Sequence, residues 1–354
     1  MNVPAKRIHS LDYLRGLAAV GIMFYHMHLL SFGEIDSESP FARIKIYAVT
    51  IFFVLSGLTL YKVYINNLAQ TGIKNFFIKR FFRIFPLLWL VTILTFLLSM
   101  QSVTMKKLAL NLLVLPGIIK PEMFIANGAW SIGNELGFYL LFPLIIVFTK
   151  KSVNNLILAI FLSAIPFLYY TYFVLDPAIP LGLQWKHYVS PLSQFLFFTI
   201  GMGLGAMKAP HPTLVKLAPY LAAVSVALLF FYPVSGEPIH LTSGNNRIFF
   251  SLVTTLLCYF IYIADFHFLP APVQWCLSTL GEISYSVYLL HPIIFMTIIA
   301  VLGESYQSHI YEIIGSTVLI TIVLSYFTYQ YFEKYFMNLS KKFHITNKSS
   351  LVLK

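Results

Sequence analysis

Ten apolar segments, each long enough to cross a lipid bilayer, recur from one end of this 354-residue chain to the other. A spanning helix needs about 20 predominantly apolar residues. Only 10% of the residues are charged, against about 25% in a soluble globular domain, which excludes a water-soluble monomer. The sequence therefore predicts an all-α polytopic membrane protein with about ten transmembrane helices. The segments lie at about 11–30, 44–62, 84–102, 131–149, 155–175, 189–207, 214–232, 247–264, 281–302 and 311–332.

The 24 basic residues are divided unequally between the two sides of this arrangement. With the N-terminus in the cytoplasm, 16 of them fall in cytoplasmic segments, seven fall in the opposite loops, and Arg15 lies in the first helix. Cytoplasmic loops of membrane proteins carry an excess of Lys and Arg, so we expect both termini to be cytoplasmic. The net charge of +11 then sets orientation, and no nucleic-acid partner is expected. The opposite loops hold Arg43, Lys45, Lys106, Lys107, Lys120, Lys186 and Arg247.

The segments predict one transmembrane domain over 1–335, followed by a basic cytoplasmic tail over 336–354 that lies along anionic membrane lipids. The longest external connection, 103–130, contains an apolar piece from Leu108 to Leu115 that is too short to span and is either re-entrant or interfacial. Cys258 and Cys276 lack metal-ligand spacing, and the sequence has no glycine-rich phosphate loop. We expect neither a metal nor a tightly bound cofactor.

A few ionisable residues lie inside the apolar segments, where each costs about 2.5–3.5 kcal/mol without a partner. Arg15 and His26 share one helix face, because 11 residues rotate to about 20° from three full turns and rise about 16 Å. Asp12 can pair with Arg15 on that face, whereas His28 lies about 200° round from His26. The segments concerned are the first, with Asp12, Arg15, His26 and His28; the fourth, with Glu135; and the ninth, with Glu282 and His291.

This set of polar residues is compatible with three kinds of protein. A histidine with a carboxylate can form a general-base site. The same residues, Asp12, Arg15, His26, Glu135 and His291, could form the path of a proton-coupled secondary transporter. A structural membrane protein without chemistry is the third reading, and it leaves the intramembrane charges unexplained. Spacing alone does not separate these alternatives.

Five motifs, in order along the chain, resemble those of the acyltransferase-3 family of integral membrane acyltransferases, the bacterial enzymes that modify surface glycans. The first is L-D-Y-L-R-G-L-A-A-V (11–20) with a histidine 11 residues after the arginine, which carries over Arg15 and His26. I-F-F-V-L-S-G-L (51–58) is similar to F-F-x-L-S-G and places Ser56 and Gly57. K-R-F-F-R-I-F-P (79–86) resembles R-x-x-R-I-x-P and places Arg80, Arg83 and Pro86 at the cytoplasmic entry of the third helix.

The other two motifs lie in the fourth and ninth segments. W-S-I-G-N-E-L-G-F-Y-L-L-F-P (130–143) resembles W-S-L-x-x-E-x-x-F-Y-L-x-F-P and places Trp130, Ser131, Glu135 and Tyr139. S-Y-S-V-Y-L-L-H-P (284–292) is similar to S-Y-x-x-Y-L-x-H and places Ser284, Tyr285, Tyr288 and His291. There are departures: Leu136 stands where many members have a second acidic residue, and Glu333-Lys334-Tyr335-Phe336 lacks the proline of the family's E-x-P-F.

The resemblance implies a multi-pass protein of the bacterial cytoplasmic (inner) membrane. It would move a short acyl group, acetyl first, from cytoplasmic acyl-CoA to a hydroxyl of a surface polysaccharide or lipid-linked glycan. It implies His26 as general base or nucleophile, with Glu135 orienting it. The residues expected to bind substrate or donor are Asp12, Arg15, Arg80, Arg83, Trp130, Ser131, Tyr139, Tyr285, Tyr288 and His291. No SGNH-type domain follows the tenth segment, so we expect a stand-alone member that relies on a separate chain for any second enzyme.

Overall fold

A computed structural model describes residues 7–98 and 103–343 of the chain. Every regular element in these ranges is helical, which confirms the all-α prediction. One long helix corresponds to each predicted segment. The ten are α1 (His9–Phe32), α2 (Pro40–Tyr64), α3 (Ile73–Leu98), α4 (Ala129–Lys151), α5 (Asn154–Tyr169), α6 (Pro191–Ala206), α7 (Pro212–Phe231), α8 (Gly244–Ile263), α9 (Ala271–Leu302) and α10 (Ile310–Phe327).

Within the described ranges, eight helical segments are long and apolar enough to cross a membrane, with α5 extended to Val174 and α10 forming part of the longer span Gln307–Phe343. A ninth crossing results if α6 and the preceding segment Leu181–Tyr188, bent by 59°, form one span. The remaining helix, α1, has 24 residues but carries the polar stripe, and it lies between α2 and α9. The protein is thus a polytopic helical membrane protein in which α1 is surrounded mainly by protein.

The two ends of the bundle are defined by the direction of α1. We use "inner end" for the end where α1 begins and "outer end" for the end where α1 finishes and α2 begins. The charge asymmetry predicts that they face the cytoplasm and the outside, and this orientation stays a prediction. The proposed tail also stays a prediction, because 344–354 lie outside the described residues and the boundary at 335 falls within the helix Lys334–Leu339.

Two helices begin earlier than their apolar segments, which corrects the predicted boundaries. α3 begins at Ile73 and α9 at Ala271, so each extends about ten residues beyond the apolar run towards the inner end. Arg80 and Arg83 are therefore not at the entry of α3 but at its eighth and eleventh positions. In α3 the added turns carry Lys74, Lys79 and Arg80, and such long basic side chains let a helix continue to the headgroups. In α9 the added turns contain Gln274, Ser278 and Thr279 and no basic residue.

Three basic residues assigned to outer loops lie inside helices instead, namely Arg43 and Lys45 in α2 and Arg247 in α8. Both arginines are only 2% exposed. Arg43 donates to the carbonyl oxygens of Ser37 and Leu229, and Arg247 donates to both oxygens of Ser193. Oxygen acceptors inside the protein replace water around these cations, which is why the charges do not mark loops.

Close contacts between small residues set the positions of the central helices. α1 packs most extensively on α9, and α2 on α6. A Cβ atom added at Gly16 would lie 2.7 Å from the nitrogen of Gly281, and one added at Gly57 would lie 2.0 Å from the carbonyl oxygen of Phe198. Only glycine permits such approaches, as is common where membrane helices cross.

The outer connection between α3 and α4 contains the short helices Met105–Leu112 and Pro116–Ile119. The buried side chain of Asn111 ties it together by donating to the carbonyl of Met123 and accepting from the amide of Ile125. Gly128, at its end, contacts Tyr288, the eighteenth of the 32 residues of α9. The end of the connection therefore reaches the bundle at Gly128, whereas the choice between a re-entrant and an interfacial position for Leu108–Leu115 stays open.

Candidate active site

Five helices, α1, α2, α3, α4 and α9, surround a central cavity with a volume of about 230 Å³. This cavity gathers eight of the twelve residues that the sequence assigns to catalysis or binding, although these eight come from four separate motifs. The four that do not line it are Asp12, His26, Trp130 and His291. Those that line it are Arg15, Arg80, Arg83, Ser131, Glu135, Tyr139, Tyr285 and Tyr288.

The central cavity is strongly cationic, since three arginines and a single carboxylate, Glu135, line it. The guanidinium of Arg80 lies over the rings of Phe76 and Tyr139. Its Nε, and the hydroxyl of Thr59 in the same wall, are buried without a hydrogen-bond partner in the described chain. Buried polar groups are normally satisfied, so these atoms favour a ligand rich in anionic oxygen.

An ion-pair cluster closes the inner end of α1 and positions Arg15. Arg15 Nη1 lies 3.5 Å from Asp12 Oδ1, which confirms the predicted pair. Asp12 Oδ2 also accepts a 2.7 Å hydrogen bond from Arg7 Nε, and Arg7 in turn pairs with Glu282. Burial lowers the pKa of Arg7, but the carboxylates of Asp12 and Glu282 raise it by more, so the net shift is upward. Asp12 therefore does not line the central cavity but holds Arg15, which does.

The crossing of α1 and α9 fixes the partner of His26. Gly16 faces Gly281, both helices run from the inner to the outer end, and both histidines lie ten residues further on. Equal steps along parallel helices rotate by equal angles, which brings His26 opposite His291. Their rings are stacked with centroids 5.0 Å apart.

The hydrogen bonds of this histidine pair determine which ring nitrogen is free. His291 is fully buried, and its Nδ1 lies 2.8 Å from the carbonyl oxygen of Val287. Because a carbonyl can only accept, His291 Nδ1 carries the proton and its Nε2 is an acceptor. His26 Nδ1 lies 2.7 Å from that Nε2 and must donate to it. His26 Nε2 is therefore left with its lone pair, the state that a general base or nucleophile needs.

The sequence assigns the orienting role to Glu135 and a binding role to His291, and the structure gives a different arrangement. The hydrogen-bond partner of His26 is His291. Glu135 lines the central cavity, where its charge interacts with Arg15, Arg80 and Tyr139. A motif match identifies residues that share a site, but it does not give the contacts between them.

Tyr288 separates the central cavity from a second cavity towards the outer end. Its hydroxyl lies 2.9 Å from the carbonyl oxygen of Gly128 and 2.9 Å from Ser131 Oγ. The second cavity, named here the outer cavity, has a volume of about 220 Å³ and is lined by Asn127 on one side of this contact and Pro292 on the other. The ring of Tyr288 also contacts His291, so the histidine pair lies beside the division between the two cavities.

The remaining predicted residues lie around this centre. Trp130 is buried and packs edge-on against Phe53 of the cavity wall and against Trp185. His28 packs against Phe32 and Phe41 rather than on the His26 face, as the 200° rotation predicts. Tyr285 donates to a carbonyl of α3, which ties α9 to the arginine-bearing helix.

Sequence reasoning misses two polar contacts of the motifs. From the sequence, the F-F-V-L-S-G segment predicts only close packing of helices. In the structure Ser56 lines the central cavity, and its hydroxyl lies 2.9 Å from that of Tyr139. Glu333 is buried and accepts a hydrogen bond from Ser286 of α9. A carboxylate retained in an apolar terminal segment is the signal that could have identified the second contact.

Comparisons with known proteins agree with this geometry. The chain is 27% identical over 287 residues to "Putative acetyltransferase ORF330" of Acidianus two-tailed virus, which covers 78% of this chain and 80% of that protein. It is 24% identical over 170 residues to "Peptidoglycan O-acetyltransferase OatA" of Listeria monocytogenes, which covers 42% of this chain and 26% of that protein. No solved structure matches the chain.

The family model described as an acyltransferase domain, Acyl_transf_3, matches residues 8–329. This match runs from the first residues of α1 into the last turns that follow α10, and it includes every residue that lines the central cavity. The chain therefore belongs to the acyltransferase-3 family, and it is a polytopic membrane acyltransferase.

Proposed function

We propose that this protein transfers a short acyl group, acetyl first, from acyl-CoA in the cytoplasm to a hydroxyl of an extracytoplasmic or lipid-linked glycan. The observation that carries the proposal is a histidine with a free Nε2 beside an arginine-lined cavity. The bacterial cytoplasmic (inner) membrane is the proposed location. Peptidoglycan, which the name of one relative specifies, is the first acceptor to test.

The charge of the central cavity and the spacing of Arg15 and His26 along α1 support acyl-CoA as the donor. Arg15, Arg80 and Arg83 present planar guanidinium groups, which match phosphate oxygens in a bidentate manner. Arg15 and His26 are separated by about 16 Å along α1, a span comparable to the reach of a phosphopantetheine arm. Phosphates bound near the inner end would therefore leave the thioester close to the histidine pair.

Two chemical routes use the same nitrogen of His26. As general base, Nε2 takes the proton of the acceptor hydroxyl while the hydroxyl oxygen attacks the thioester carbonyl. The CoA sulfur then leaves and takes that proton from the histidine. As nucleophile, Nε2 bonds to the acyl carbon and expels CoA as its thiolate, after which the acceptor oxygen bonds to the acyl carbon, the histidine leaves as a neutral imidazole, and the hydroxyl proton passes to the thiolate. In both routes His291 stabilises the positive charge that develops on His26.

The transporter alternative has less support than the enzyme. A proton path would need its carboxylates available for repeated protonation, whereas Asp12 is paired with Arg7 and Arg15. Membership of an acyltransferase family favours chemistry over transport.

The experiment is acetyl-CoA turnover by the purified protein in detergent, with and without soluble peptidoglycan fragments. We expect release of free CoA and acetylation of the fragments only when both substrates are present. His26→Ala should lower the transfer rate by about 10²–10⁴, and His28→Ala is the matched control that should retain it. Release of CoA that is independent of every glycan tested, or loss of activity in His28→Ala alone, would count against the proposal.

A further inference from the structure

A lysine that belongs to none of the five motifs lies close to the histidine pair. Lys45 is in the second turn of α2 at the outer end, and its side chain is only 15% exposed. Its Nζ lies 5.6 Å from the centre of the Tyr25 ring and 5.8 Å from that of Trp185. Two aromatic rings thus hold the ammonium in place by cation–π attraction.

The ammonium of Lys45 has one ionic partner, and that partner is exposed. Nζ lies 3.7 Å from Glu34 Oε2, and the Glu34 side chain is 77% exposed. This distance makes an ion pair that is longer than an ordinary hydrogen bond. By contrast, the buried Arg43 on the same helix donates to two carbonyl oxygens. A cation held only by aromatic rings and an exposed carboxylate keeps N–H groups that can donate to the oxygen atoms of another molecule.

Lys45 lies on the outer approach to the reacting nitrogen. Tyr25, which contacts its ammonium, precedes His26 in α1, and the centres of the two rings are 5.0 Å apart. The charge of Lys45 interacts with His26. Trp185 belongs to the bent segment before α6 and packs on Trp130, so the site joins three separate parts of the outer end.

We propose that Lys45 and Trp185 form the subsite that binds a sugar ring of the acceptor next to His26. The ammonium donates to ring and hydroxyl oxygens, and the half-buried indole packs its π face against the C–H groups of the same sugar. This inference rests on the proposed function, because it supplies the acceptor side of the same reaction. Lys45 and Trp185 belong to none of the five motifs and do not line the central cavity. The choice of acceptor would therefore depend on other residues than those that bind the donor.

Binding of a sugar can be measured without catalysis. The probe is the soluble β-1,4-linked tetramer of N-acetylglucosamine, titrated into the purified full chain while tryptophan fluorescence is recorded. The wild-type protein should show a saturable change that is absent in Trp185→Phe, although the other three of its four tryptophans remain. Lys45→Met should weaken the apparent affinity by about tenfold to a hundredfold, as expected for lost hydrogen bonds to a charged group.

Lys186→Met is the matched control, since it removes the same charge from the exposed residue next to Trp185 and should bind the tetramer as the wild type does. Acetyl-CoA affinity, measured by calorimetry, should be unchanged in both lysine variants, which also verifies that they fold. If Lys45→Met does not fold, Trp185→Phe is the variant that tests the subsite. Its affinity for the tetramer, measured by calorimetry, should fall severalfold.

Kinetics distinguish failure of this inference from failure of the proposed function. With peptidoglycan fragments as acceptor, Lys45→Met should raise the acceptor KM and leave the donor KM unchanged. A lower kcat with an unchanged acceptor KM, or no binding of the tetramer by the wild type, would overturn the subsite. Tetramer binding that depends on Lys45, in a protein that never releases CoA, would instead overturn the acyl transfer and leave the subsite intact.

Discussion

Replacing His291 with leucine should disable acyl transfer without weakening donor binding. His291 is fully buried and does not line the central cavity. Its Nε2 accepts a 2.7 Å hydrogen bond from the protonated Nδ1 of His26. Leucine fills a similar volume but accepts no hydrogen bond. The Nδ1–H of His26 would then be buried and unpaired, and the opposite tautomer, with the proton on Nε2, would compete.

The size of the effect follows from that lost bond. Leaving a buried donor unsatisfied costs about 1–3 kcal/mol, and each 1.4 kcal/mol is about tenfold in a rate or an equilibrium. His291→Leu should therefore lower the transfer rate by about 5-fold to 150-fold, less than the loss expected on removing His26 itself. His291→Gln should stay within about tenfold of the wild type, because its amide oxygen reaches roughly the position of the imidazole Nε2 and can accept the same bond.

The assay is acetyl transfer to peptidoglycan fragments at saturating acetyl-CoA, with acetyl-CoA affinity measured in parallel by calorimetry. His291→Asn is the matched control for size and polarity, because its shorter amide corresponds in position to Nδ1 and should not rescue the rate. Wild-type transfer by His291→Leu, or equal rates for the glutamine and asparagine variants, would refute the assigned tautomers and the positioning role of His291.

Three further predictions concern the donor site, the division between the cavities and the helix packing. Arg15→Ala should weaken acetyl-CoA binding about tenfold or more in calorimetry, and lysine should restore it only partly because it lacks the planar fork; unchanged affinity would make Arg15 a structural residue. Tyr288→Phe loses the hydroxyl contacts between the cavities and should raise CoA release without glycan severalfold, whereas a release rate equal to that of the wild type would contradict a sealing role. Gly57→Ala should lower the free energy of unfolding in detergent by about 1–3 kcal/mol or more, since its Cβ would lie 2.0 Å from a carbonyl oxygen. Gly137→Ala, which meets no atom within 4 Å, should match or exceed the wild type in the same melting experiment.

The number and position of the long helices could be predicted because a membrane requires a long apolar run for each span. The ends of the helices could not. α3 continues through basic turns and α9 through turns with several polar residues, and both lie outside the apolar runs used for the prediction. Lys45 was wrongly assigned to a loop. In the sequence, a cation in the second turn of α2 resembles a charge that flanks a membrane span, and only the structure shows its aromatic neighbours.

The membership of the site could be predicted better than its contacts. Family motifs gather eight residues that line one cavity, but a linear motif does not give the register between two helices. That register follows from the Gly16–Gly281 crossing. Both glycines precede their histidines by ten residues, and this equal spacing is the signal in the sequence that could have paired His26 with His291.

Hydrogen bonding divides the buried polar groups of the protein into two sets with different roles. Asp12, His291 and Tyr288 have their partners within the chain, so their burial is compensated and they hold the structure of the site. Arg80 Nε has no hydrogen-bond partner in the described chain, and the ammonium of Lys45 has an exposed carboxylate, Glu34, as its ionic partner at 3.7 Å. A buried donor without a partner costs free energy in the unliganded state, and this cost is recovered when a ligand supplies the oxygen atoms. Arg80 lies in the central cavity and Lys45 at the outer end, so the two cations are placed on the two sides from which the proposed transfer would receive its donor and its acceptor.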